Sequence, residues 1–134
     1  MSVNYLAVIV SAVIYFMLGG LWYSKLLFAN PWMKAIGKTE AEIKASGSPA
    51  PGYIIAFVGA LFTAFILATF INYAGGATLV DGAKIGFYAW LGFGITTLAP
   101  AYYFEMRPKA LLLIYAGYTL VAFIIMGGIL GAWR

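Results

Sequence analysis

The chain has 134 residues, of which 64% are apolar and only 9% charged, with a net charge of +4. A soluble domain carries roughly 25% charge, so this composition points to lipid as the solvent and excludes an ordinary water-soluble globule. There is no cysteine and no histidine, which removes disulfides, thiol nucleophiles, thiolate metal sites and the commonest general base.

A bilayer-spanning helix needs about 20 mostly apolar residues. Four windows qualify, giving an all-α membrane protein of four transmembrane helices over about 4–23, 53–73, 83–103 and 109–133 as a single domain. The basic and acidic residues all fall outside the apolar cores of these spans, Tyr5 to Trp22, Tyr53 to Tyr73, Ile85 to Tyr103 and Ala110 to Trp133, with Lys25, Lys84 and Glu105 just beyond their edges. The first window is expected to be a true span: MSVNY carries no Lys or Arg, and a bulky Trp-Tyr pair follows where a signal peptide needs small residues. Ser11 and Tyr15 lie four apart on one face of this helix and are expected to pack against a neighbour.

The stretch GGLWYSKLLFANPW leads out of the first span. Asn30 is expected to cap a short helix with Pro31 at its first position, and Gly37 to end it. In KTEAEIKASG, Thr39 and Glu42 have capping-box spacing and Gly47 closes the turn. The 24–52 loop is thus read as two short interfacial helices, followed by the stiff SPAPG linker with Pro51 at a helix start.

In the second span Ala56, Ala60, Ala64 and Ala68 recur every four residues, a smooth face that lets helix backbones approach closely. Its partner is another helix, inside the chain or in a second copy, or else the face is a groove for a lipid or apolar ligand. Thr78 and Asp81 repeat the capping logic before the third span. There Pro100 is expected to free the Thr96 carbonyl and kink the helix, with nearby hydroxyls helping to satisfy it. FEMRPK is a tight turn in which Glu105 and Arg107 are expected to pair, joined by Lys25 from the same side, with Pro108 starting the last helix. The last span carries Gly127 and Gly131 at small-xxx-small spacing, and Trp133 with Arg134 forms an interfacial anchor.

Six basic residues (Lys25, Lys34, Lys38, Lys44, Arg107 and Lys109) fall on the first and third connections, against Lys84 and Arg134 on the opposite side. The positive-inside rule then places loops 24–52 and 104–109 in the cytoplasm and both termini outside, in a multi-pass protein of the cell membrane. The bases form no dense run, which argues against nucleic acid. No ionisable residue sits mid-membrane, which disfavours proton-coupled transport, and the four scattered carboxylates offer no catalytic pair. No cofactor is implied, and the chain is read as not an enzyme.

The block GGLWYSKLLFANPWMKAIGKTEAE, with FEMRP, IYAGY and MGGILGAW downstream, resembles a family of small, mostly bacterial integral membrane proteins catalogued as domain of unknown function 1761. The resemblance implies a four-helix membrane fold and supplies no activity. The expected function is binding or passing a neutral or lipid-like molecule, by a self-associating homo-oligomer in the lipid bilayer. The alternative is a structural or scaffold subunit that packs through small-residue faces. If a pocket exists, Trp22, Tyr23, Asn30, Trp32, Glu105 and Arg107 are its candidates, with aromatic walls and a polar floor. The rival reading of these residues is that they only anchor and staple helix ends.

Overall fold

The computed structural model describes residues 3–133, so Arg134, expected to act with Trp133, lies outside the described residues. Among them every regular element is a helix: α1 (Tyr5–Trp22), α2 (Ala29–Ile36), α3 (Glu40–Ala45), α4 (Ala50–Tyr73), α5 (Leu79–Ala89), a π-helical segment (Trp90–Ile95), α6 (Thr96–Phe104) and α7 (Lys109–Ala132). Three of these, α1, α4 and α7, are long and apolar enough to cross a membrane. The expected third span is not one uninterrupted α-helix. It is built from α5, the π segment and α6, of 11, 6 and 9 residues, following one another without a break.

The irregularity in that rod sits at Trp90–Ile95, upstream of Pro100, which lies inside α6. The change of winding thus lies before the proline at which a kink is expected, and α6 continues through Pro100. Two glycines in WLGFGI weaken α-helical winding, and π winding displaces backbone bonds that the following threonines recover. The Thr96 hydroxyl reaches the carbonyls of Leu91 (2.7 Å) and Gly92 (3.0 Å), and that of Thr97 reaches those of Phe93 (3.0 Å) and Gly94 (2.7 Å). Hydroxyls do serve carbonyls here, although not that of Thr96.

α7 is the central helix, packed by α1, α4 and α5, with α2 against its loop-proximal end. Its tightest neighbour is α5. A Cβ placed on Gly82 would strike the carbonyl of Gly127 and come within 2.9 Å of the Gly131 Cα, and one on Gly86 would strike the carbonyl of Phe123. Backbone therefore lies directly on backbone, as small-residue packing in lipid allows. On α4, Ala60, Ala64 and Ala68 are buried in a core shared with Ala7, Ala12 and Met126, whereas Ala56 is exposed. Ser11 is fully buried in this region, and among the described residues its hydroxyl has no hydrogen-bond partner.

Thr39 and Glu42 form the expected capping box, Gly37 ends α2 in the left-handed conformation, and Thr78 caps α5 by accepting from the Asp81 N–H (3.1 Å). Asn30 does not cap α2. The helix starts earlier, at Ala29, because the turn Ser24–Phe28 already directs backbone bonds into it, so Asn30 and Pro31 fall within the first turn and Phe28 occupies the cap position.

Candidate functional site

The end of the bundle that carries loop 24–49 and the turn after α6 gathers most of the residues singled out from sequence. Trp22 ends α1 and lies across α7. Its indole N–H donates to the Ile114 carbonyl (2.9 Å), and its ring stands against Gly117, where an added Cβ would lie 3.0 Å away. The reciprocal contact runs from α7 to α1. Tyr118 lies over Gly19 and donates its hydroxyl to the Tyr15 carbonyl (2.9 Å). Each helix thus offers a glycine to an aromatic ring of the other, and each ring hydrogen-bonds a backbone carbonyl across the interface.

Other rings close around this crossing. Trp22 meets Phe28 (centroids 5.0 Å), Tyr23 meets Trp32 edge-on (5.9 Å), and Tyr118 contacts both Tyr15 (5.3 Å) and Tyr23 (5.9 Å). Aromatic pairs of this kind contribute about 0.5–1.5 kcal/mol each beyond burial. Trp22, Tyr23 and Trp32 accordingly belong to one packed aromatic set.

Glu105 and Arg107 pair as expected (2.8 Å), and the guanidinium sits 4.8 Å from the Tyr102 ring centroid. Among the described residues neither makes a hydrogen bond, ion pair or ring contact with Trp22, Tyr23, Asn30 or Trp32. Asn30 is exposed. Lys25 does not join the pair, since it lies 3.2 Å from Glu40, which also holds Lys44 at 3.3 Å. The short loop brings Lys25 to α3 first, and the two lysines hold the Glu40 carboxyl below the usual carboxylate range through hydrogen bonds. The six candidate residues therefore fall into an aromatic staple, a separate ion pair and an exposed amide.

Concave apolar surface lies elsewhere, in the half of the bundle nearer the α4–α5 turn. One groove of about 320 Å³ runs between α4 and the π segment, walled by Phe62, Ile66 and Phe70 on one side and Ala89, Phe93 and Gly94 on the other. Thr63 is a polar residue in its lining, and its hydroxyl already donates to the Gly59 carbonyl (2.8 Å). A second groove of about 360 Å³ lies between α1 and α4, walled by Tyr5, Val8, Leu61 and Phe65. Phe62 borders both.

Sequence reasoning gave no role to Gly117, Tyr118 or the groove phenylalanines. A signal for the first two was present: GGLWY and IYAGY each set a glycine close to aromatic residues, the pattern of a ring that lies over a bare backbone. The groove depends on π winding, for which WLGFG followed by two threonines is the sequence trace.

The sequence model of a family described as "Protein of unknown function (DUF1761)" matches residues 6–131, nearly the whole chain. No curated protein and no solved structure matches.

Proposed function

This chain belongs to the DUF1761 family of unknown function, and on that premise we propose that it is a non-catalytic, four-span membrane protein that holds a neutral, lipid-like molecule. The groove between α4 and the π segment carries this reading. Its walls are apolar and aromatic, its threonine hydroxyl is already satisfied, and nothing in it would compensate a buried charge. A hydrocarbon chain meets those conditions, and an ion or polar metabolite does not.

The fourth span of the proposal is the rod α5–π–α6. It is helical without a break from Leu79 to Phe104, and its threonines satisfy carbonyls that π winding leaves over, as backbone in lipid requires. The excess of bases on the first and third connections supports cytoplasmic loops and outside termini in the cell membrane. Because the chain lacks native cysteine, single cysteines in place of Lys38 and Ala77, both exposed, test this topology directly. An impermeant thiol reagent added to intact cells should label the second and spare the first.

Native mass spectrometry of protein released from lipid nanodiscs tests the groove. Wild-type protein should retain a lipid adduct that Thr63→Phe, which fills the groove from a side chain outside the core, removes. Equal adducts on both proteins would reject the groove as the site.

A scaffold role is the second reading, and exposed small residues favour it. Gly52, Ala56 and Gly59 share a face of α4, and an added Cβ on either glycine meets nothing within 4 Å. Self-association through α4 would use this face, since Ala60, Ala64 and Ala68 are already buried inside the chain. Gly59→Leu should then lower the oligomeric state in sedimentation while leaving the fold intact.

A further inference from the structure

The loop-bearing end of the bundle carries six cations and three carboxylates, and the described structure shows where each carboxylate is engaged. Glu40 is shared by Lys25 and Lys44, Glu42 closes the capping box on Thr39, and Glu105 binds Arg107. Lys34, Lys38 and Lys109 remain, all exposed and, among the described residues, without an acidic partner. Lys109 opens α7, whose first turn has no acidic residue to offset either the side chain or the positive helix end.

These charges share one end of the bundle. α2 turns Ala29, Trp32, Met33 and Ile36 inward as buried or half-buried residues and leaves Lys34 exposed, with Lys38 just past the Gly37 stop. Packed against the start of α7, it holds Lys34 and Lys38 at the bundle end at which Lys109 begins that helix. Trp22, Tyr23 and Trp32, of the residue types that favour the headgroup region, lie at the same end.

We propose that Lys34, Lys38 and Lys109 form a docking surface for anionic phospholipid headgroups, so that the protein recruits negatively charged lipid around this end of its spans. The argument is charge complementarity. The carboxylates of this face are internally committed, and its surplus is positive and stands at the end of the spans that carries the interfacial aromatic residue types. Each basic residue near an anionic surface gives roughly a five-fold gain in local association. The inference rests on the membrane-spanning reading and not on the α4 groove.

The test is spin-label spectroscopy of the full chain in phosphatidylcholine bilayers doped with spin-labelled phosphatidylglycerol or spin-labelled phosphatidylcholine. The motionally restricted phosphatidylcholine fraction reports the spanning protein by itself, and the ratio of the two lipids reports the proposal. Phosphatidylglycerol should be enriched by at least about two-fold, a modest part of what three such charges allow. The enrichment should fall toward unity in Lys34→Gln/Lys38→Gln/Lys109→Gln and in 1 M salt, where screening shortens to about 3 Å. It should survive the triple Lys→Arg exchange. A ratio of one in the wild type, or a ratio unchanged in the triple Gln variant, overturns the proposal while leaving the spanning fold in place.

Discussion

Tyr118 occupies the space that a side chain on Gly19 would need: a Cβ built at Gly19 meets the Tyr118 hydroxyl oxygen at 2.8 Å, and that hydroxyl donates to the Tyr15 carbonyl one turn back. Gly19→Ala should displace the ring and break the bond, at a cost of about 1 kcal/mol for an interhelical hydrogen bond in lipid. Gly20 is the internal control, because nothing lies within 4 Å of a Cβ there. Unfolding of both variants in mixed micelles should show Gly19→Ala destabilised and Gly20→Ala unchanged or slightly more stable. Equal behaviour would mean that the Tyr118 contact carries no weight.

Gly82 and Gly127 make a stricter pair. At Gly19 the obstacle is the far end of a side chain that can swing, whereas at Gly82 it is the backbone of α7. Gly82→Ala should force α5 and α7 apart and cost at least the roughly 1–3 kcal/mol of overpacking, with loss of folded protein on purification. Gly128→Ala, whose new Cβ would lie 3.4 Å from a flexible Leu79 side chain, should be nearly silent by the same assay.

Ser11 is fully buried and its hydroxyl lacks a partner among the described residues. An unsatisfied buried polar group costs about 1–3 kcal/mol, so its removal recovers stability when the vacated space is small. Ser11→Ala is expected to raise the unfolding midpoint, by about 1 kcal/mol. A drop would show that the hydroxyl serves an interaction made only in the bilayer.

The parts of this architecture that follow local rules were legible in the sequence. Thr39 with Glu42, Gly37, and Thr78 with Asp81 each act within one helix turn, and the structure reproduces them. The long-range choices were not. Nothing local says that Ala60, Ala64 and Ala68 are buried within the chain while Ala56 is exposed, or that Lys25 reaches Glu40 before Glu105. The π winding at Trp90–Ile95 was not legible either, because glycines such as Gly92 and Gly94 weaken an α-helix without saying which winding replaces it. The aromatic staple was half visible: the ring types and their membrane end were evident, but their glycine receptors belong to the other helix.

Glu40 offers a pH signature. Hydrogen bonds from Lys25 and Lys44 lower its pKa in the folded protein. A depressed carboxylate pKa contributes stability above the unfolded value of about 4.3, and that contribution is lost as pH falls through the folded value. The site is exposed, so the effect on global stability should be slight and the local one measurable. The Glu40 carboxyl ¹³C resonance should titrate below an ordinary glutamate and return toward normal in Lys25→Gln/Lys44→Gln. Titration at the ordinary value in wild-type protein would remove the bridge.

Met106 holds a left-handed backbone, φ 57°, in the turn after α6, and among the described residues it is the non-glycine residue that does so. The geometry is that of a helix C-terminus closed by paired backbone bonds, with the Arg107 N–H reaching the Tyr102 carbonyl (3.0 Å) and the Met106 N–H reaching that of Tyr103 (3.1 Å). Glycine is the usual residue at this position, since a Cβ in the left-handed region costs roughly 1–2 kcal/mol. The Met106 side chain is 89% exposed, so little packing offsets that cost in the folded chain. Glycine also has more freedom to lose on folding, which returns about 0.4–1 kcal/mol of the gain. Met106→Gly is therefore expected to stabilise the fold by up to about 1 kcal/mol, read as a higher unfolding midpoint, with Met106→Ala close to wild type because it keeps the Cβ. If Met106→Gly proved less stable than wild type, the exposed methionine would have a binding partner in the membrane interface whose contribution outweighs the strain.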